Sequence, residues 1–271
     1  MTIRFRNRVT LIFFFIALAV LFISGFLIMY NYFSGGIQLP EVYKKGLSDN
    51  FLLKYNPVIV LTGIILEIIY VCITTMIIYH SFEKTQAPDI AFFLIFLAAC
   101  LCDASRFFIP VFHLSDSYSN FLLKIGNVHL FARLLAPLAL MGNTILCSDE
   151  LKQSTDRNCL IIIIIALFFS ELIPLNTAVI LPNYCISYGY VKGIRIASFL
   201  IIALSAIHLF FENRKNEYRQ IMTLGFIMLS VGYTLLFYCF NILGFAAGLL
   251  LLGFGTNFYL NEVHKHYLWL D

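Results

Sequence analysis

Apolar runs long enough to cross a bilayer recur from one end of this chain to the other. A spanning α-helix needs about 20 mostly apolar residues. In hydrocarbon, only helices and closed barrels satisfy every backbone N–H and C=O internally. Eight runs can be marked, at roughly 9–32, 57–80, 89–111, 125–147, 158–176, 190–211, 219–239 and 241–261. The last two come from one nearly uncharged stretch about twice the length of a single span. A break fits best at Tyr238-Cys239-Phe240-Asn241, with Gly244 just beyond it. If the tail instead forms one span and a buried segment, the count falls to seven.

Hydrophobic residues make up 61% of the 271 and charged residues 12%, which excludes a water-soluble domain of this length. The longest segment between spans, Phe33 to Tyr55, reads as a connector, with a short surface helix starting at Leu39 as the alternative. The expected fold is therefore all-α: a polytopic membrane helix bundle of about eight transmembrane helices, a single integral membrane domain over residues 1–271.

Arg4, Arg6 and Arg8 precede the first run and give it the look of a signal peptide. The run is about 20 residues long with no A-x-A-like site after it, so a retained signal-anchor helix is expected. With the N-terminus inside, ten lysines and arginines fall on the inner side and five on the outer. That bias predicts cytoplasmic termini and a multi-pass protein of the cell membrane. The basic residues are scattered over helix ends and form no patch, so lipid rather than nucleic acid is the expected partner.

Six charged side chains sit inside these spans: Glu67, Asp103, Arg106, Arg133, Glu171 and Arg195. Each costs about 3 kcal/mol in a spanning helix even on lenient scales. They sum to zero. At a rise of about 1.5 Å per residue, all six fall at the centre or in the outer half of their spans. Asp103 and Arg106 share a helix face, as do His129 and Arg133, and Asn143 continues the second stripe. Two readings stand. In one, Asp103–Arg106 and Glu171 with Arg133 or Arg195 are ion pairs that lock helices together, with Arg195 free to snorkel. In the other, the six charges and His129 line a water-filled outer pocket. Arginine forks there would hold a carboxylate or phosphate, and the acids an amine or a proton. Three arginines on three helices favour the pocket.

The remaining motifs are weaker. The seven cysteines, Cys72, Cys100, Cys102, Cys147, Cys159, Cys185 and Cys239, lie mostly in apolar spans without a CxxC pair and read as small buried hydrophobes. His113 with His129, or His80 with His208, could ligate a haem, but histidines at membrane interfaces are ordinary, and neither cofactor nor metal is expected. A retinal Schiff base needs a lysine within a span, and all lysines lie in loops or at span ends. Gly244-x-x-x-Gly248, followed by Gly253 and Gly255, makes a small-residue face for packing within the bundle or for a homodimer. Pro110, Pro137 and Pro174 can open kinks beside the charged layer. No nucleophile motif, phosphate loop or internal repeat is visible.

In general plan the chain resembles the multi-span sensor domains that precede bacterial kinases and cyclases. Only Glu262 to Asp271 follow the last span, so such a sensor would need a separate cytoplasmic output partner. The expected function is a receptor-like or sensory membrane protein binding a small polar or anionic ligand from the outer side. A secondary transporter or proton-coupled permease is the alternative. An intramembrane enzyme, using His129, Glu171 and the arginines for acid–base work, is the third reading. A transporter needs a polar path to the inner side, where only Asn257, Asn261 and His208 are candidates.

Overall fold

The structure is a computed structural model, and it describes residues 3–34, 54–85, 87–114, 120–145, 155–213, 217–238 and 241–268. The segment around Leu39, with Cys147 and Cys239, lies outside the described residues. The helices are α1 (Ile3–Ser34), α2 (Pro57–Ser81), α3 (Asp89–Asp103), α4 (Phe108–Val111), α5 (Asn120–Ile145), α6 (Thr155–Leu172), α7 (Val191–Asn213), α8 (Glu217–Phe237) and α9 (Ile242–Leu268). A 3-10 turn, Ala104–Phe107, joins α3 to α4. The fold is the expected all-α polytopic bundle. Seven helical segments are long and apolar enough to cross a membrane: α1, α2, α3 continued through α4, α5, α7, α8 and α9. α6 is shorter and carries Asp156, Arg157 and Glu171 at its ends. The expected break in the tail falls between Phe237 and Ile242.

α2, α3 and α5 have the most buried spanning stretches, and these three form the centre. Ile64, Ile68, Phe92, Phe93, Phe96, Ala136 and Ala139 fill the space between them. α1 and α7 are peripheral and keep long apolar faces, including Phe22, Phe26, Phe199 and Leu204, turned outward. That is the distribution a lipid-facing helix requires. α8 and α9 pack closest. A methyl group at Gly232 or Gly255 would overlap the backbone of Leu252 or Leu229 across the seam, and Gly248 lies against Leu236. Two of the glycines expected on a small-residue face are thus taken up inside the bundle by α8.

Helix ends explain two features. Asn56 accepts from the Val58 N–H and Pro57 sits at the first helical position, so α2 starts where a cap and a pre-set φ coincide. At its other end the carbonyls of Phe82 and Thr85 accept from Arg6 of α1, the latter at 2.7 Å. Asn7 adds a bond to the Glu83 carbonyl at 2.8 Å. The N-terminal basic residue here is a tertiary cap on orphan carbonyls.

Between α6 and α7 the chain forms an unexpected β-hairpin, whose first strand takes up the end of the run at 158–176 that was expected to span. β1 (Leu175–Ile180) pairs antiparallel with β2 (Ile186–Tyr188), with an irregularity between Asn176 and Ile180. α6 stops at Leu172 because Pro174 cannot continue it. The hairpin turn closes with Leu181 N–H to Cys185 C=O at 2.8 Å, and Tyr184 takes the left-handed conformation at φ 60°. Ile186 packs with Ile109, Leu114, Leu122 and Ile125 as a second apolar cluster. Asn183 and Tyr55 add hydrogen bonds, to the Phe237 and Pro182 carbonyls, each at 3.2 Å. The hairpin covers the end of the bundle where α2, α5, α7 and α9 begin and α4, α6 and α8 finish.

Candidate functional site

Four of the seven residues singled out from the sequence form one buried cluster. Glu67, Asp103, Arg106 and His129 are each 2% exposed or less. Arg106 Nη2 lies 3.2 Å from Glu67 Oε2 and 3.4 Å from Asp103 Oδ2. His129 Nδ1 lies 2.8 Å from Asp103 Oδ1. The helices reach this arrangement through a defect. Pro110 cannot donate to the Arg106 carbonyl four residues back, and its ring crowds that carbonyl. The turn tightens to 3-10 over Ala104–Phe107.

Arg106 also caps a helix. Its Nη1 donates to the Phe237 carbonyl at 3.2 Å, and Phe237 is the last residue of α8. The final carbonyls of a helix lack intrahelical partners, and its C-terminus carries partial negative charge. A guanidinium there answers both needs. Asn183 of the hairpin shares the same carbonyl. With His129 protonated the four charges cancel; with it neutral, one negative charge remains.

The Phe237 ring separates this cluster from the other two arginines. His129 stacks on it, with centroids 5.5 Å apart and the rings 8° from parallel. Arg106 Cζ is 5.1 Å from its centroid, and Arg133 Cζ is 3.9 Å. Arg133 also lies over Tyr233 and Tyr238, and its Nη2 donates to Tyr238 Oη at 3.0 Å. Arg195, on the exposed face of α7, sits with its Cζ 5.0 Å from the Tyr238 ring. Among the described residues, neither Arg133 nor Arg195 has a carboxylate within ion-pair distance. Their partners are aromatic faces and one phenol. A desolvated cation–π contact contributes about 2 kcal/mol, while a charge in a spanning segment costs about 3 kcal/mol or more.

Arg133 and Arg195 open onto a crevice of about 510 Å³ between α5, α7 and α8. Tyr233 and Tyr238 complete its polar end. Pro137, Ile202, Ala203, Ala206 and Ile227 are among the residues that line the rest. Tyr188 of β2 stands close by. Burial raises its phenol to about 12 against the opposing pull of Arg133 and Arg195.

Glu171 stays outside both groups. It is exposed at the end of α6, where Asn127 Nδ2 reaches its oxygens at 3.3 and 3.5 Å. The ion pair expected with Arg133 or Arg195 does not form, because the last turn of α6 presents Glu171 outward. Asn143 is buried on α5, about 15 Å further along the helix than Arg133. Asn257 and Asn261 line a separate groove of about 330 Å³ between α2 and α9, next to the Tyr70–Thr256 hydroxyl pair at 2.8 Å. His208 faces Glu212 at 3.8 Å on the surface of α7.

The residues that sequence reasoning missed are aromatic: Tyr188, Tyr233, Phe237 and Tyr238. A signal existed for two of them, since Tyr233 and Phe237 are four apart and share one helix face just before the break, with Tyr238 next in the chain. No protein-family model, curated protein or solved structure matches the chain.

Proposed function

We propose that this protein is a receptor-like or sensory membrane protein that binds an anionic ligand through Arg133 and Arg195. The two arginines, which have no carboxylate partner among the described residues and converge on one crevice, carry this reading. The zero sum of charges in the spans divides unevenly. Glu67, Asp103, Arg106 and His129 compensate one another, Glu171 stands apart, and two positive charges are left at the crevice. An anion there supplies the missing compensation, and arginine's planar fork suits a carboxylate or phosphate. The crevice lies at the hairpin end. The bias of basic residues favours this as the outer side, with cytoplasmic termini and a place in the cell membrane.

A transporter would need the polar lining to continue toward the opposite face. Along the crevice it ends within a few residues of Tyr233, and Asn257, Asn261 and His208 lie elsewhere. The test is thermal unfolding of the detergent-solubilised protein against a panel of carboxylates and phosphate monoesters at fixed ionic strength. An anion present at about 100 times its Kd should add close to 2.7 kcal/mol of stability. That gain should vanish in Arg195→Gln. An identical response in wild type and variant would defeat the proposal. Flux of a stabilising anion into proteoliposomes would replace the receptor with a transporter.

A further inference from the structure

The shape of the crevice says more about its ligand than its charge does. α7 and α8 run antiparallel along it, and their polar ends coincide, since Arg195 lies against the Tyr238 ring. From Arg195 to Ile207 along α7 is about 18 Å, and from Tyr238 back to Ile227 along α8 about 16 Å. The polar groups occupy one end of that length. Beyond them the walls are mostly apolar, from Phe199, Ile202, Ala203, Ile207, Ile227 and Val231. Two hydroxyls that line this stretch are already spent on their own helix: Ser230 donates to the Phe226 carbonyl and Thr234 to the Val231 carbonyl, each at 2.8 Å. A small water-borne anion would leave most of this volume without a use.

The crevice is also entered from the side. Phe199, Ile207, Ile227 and Val231 line it and are themselves exposed, so its rim faces the hydrocarbon. The hairpin lies over the end of the bundle, with Tyr184, Cys185 and Ile186 almost wholly buried.

Resting on the anion-binding reading above, we infer that the crevice binds a single-chain amphiphile from the bilayer, its anionic head on Arg133 and Arg195 and its acyl tail along the seam of α7 and α8. The head is a carboxylate or a phosphate monoester in chemistry; the arginine fork accepts both. The volume of about 510 Å³ is that of a site for one ligand of modest size. The second tail of a diacyl lipid would have to remain outside.

The experiment uses the full chain in phosphatidylcholine nanodiscs and a palmitate carrying a diazirine near its methyl end. Photolabelling should map to Ile202–Ile207 and Ile227–Val231. Arg195→Gln, an exposed position that leaves the packing intact, should cut labelling at least about tenfold, the loss of one charged hydrogen-bonding partner. Ala203→Phe should block the tail region and abolish labelling with the arginines in place. Unlabelled palmitate and lysophosphatidic acid should compete, and hexadecanol should not. Competition by acetate or inorganic phosphate as effective as that by palmitate would overturn the amphiphile while leaving the anion-binding reading intact. Competition by diacyl phosphatidic acid alone would overturn the single chain. Labelling indifferent to Arg195→Gln and to every competitor would be ordinary lipid contact, and both readings would fall.

Discussion

Arg106 and Arg133 approach the same Phe237 ring, yet they hold opposite positions in the electrostatics of the bundle. Arg106 is satisfied by the protein: two carboxylates within 3.4 Å and a helix-terminal carbonyl at 3.2 Å. Arg133, just as deeply buried, has aromatic faces and one phenol. In a membrane both begin with the same desolvation cost, so the difference lies in what repays it. The cluster around Arg106 is closed and makes structure, tying α2, the α3–α4 turn, α5 and α8 together. The pair Arg133–Arg195 leaves charge for something else to complete.

The comparison is sharpest at Arg106. Arg106→Met leaves Glu67 and Asp103 with only His129 as a possible counter-charge and removes one donor from the end of α8. The expected loss is about 3–5 kcal/mol, read from denaturant unfolding in detergent. A loss below about 1 kcal/mol would mean the cluster is no better knit than the crevice.

Tyr188 probes the boundary between the two regions. Its phenol, ordinarily near 10, is raised to about 12 in the folded state by burial, against the pull of Arg133 and Arg195. A raised phenol keeps its proton in the native state after the unfolded chain has lost it. Its contribution is therefore whole below about pH 10 and is lost as pH climbs toward 12, about 2–3 kcal/mol in all. Tyr188→Phe should flatten that part of the stability profile between pH 10 and 12. An anion between the arginines should cancel their pull and move the phenol higher still. A profile unchanged by the substitution would place Tyr188 outside the reach of the crevice.

The smallest expected effect on stability is at the crevice itself. Arg195→Gln should change unfolding free energy by no more than about 0.5 kcal/mol, because no carboxylate partner is lost. Destabilisation on the scale of Arg106→Met would erase the distinction between structural and ligand-directed arginines.

Much of this was legible in the sequence. Run length marked seven of the eight expected spans; the run at 158–176 is instead the shorter α6, ended by Pro174, and the start of the hairpin, while the break after Phe237 was marked by Tyr238 and Asn241. The pairing of Asp103 with Arg106 followed from their three-residue spacing, because neighbours on one helix face are fixed by local geometry. The hairpin was not legible. Leu175 to Tyr188 is a short apolar stretch whose strand pairing depends on Pro174 ending α6 and on Ile109, Leu122 and Ile125 offering a surface. Nor was Arg6's role, since capping a neighbouring helix depends on how two helices lie side by side.

By itself the sequence determined that this chain lives in a bilayer as a helix bundle, and that its intramembrane charges must be answered there. Hydrocarbon leaves no other solution to backbone hydrogen bonding, and the alternation of spans sets the common depth of the charges. Which charges answer one another was decided only by the tertiary structure. Helix rotation turned Glu67 and His129 inward to Arg106 and Asp103, turned Glu171 outward to Asn127, and brought Arg133 and Arg195 both to the Tyr238 ring. A rotation of tens of degrees costs little in the pattern of apolar residues, because these helices are apolar over most of their surface. Close packing of particular side chains, the α8–α9 glycine seam among them, selects it.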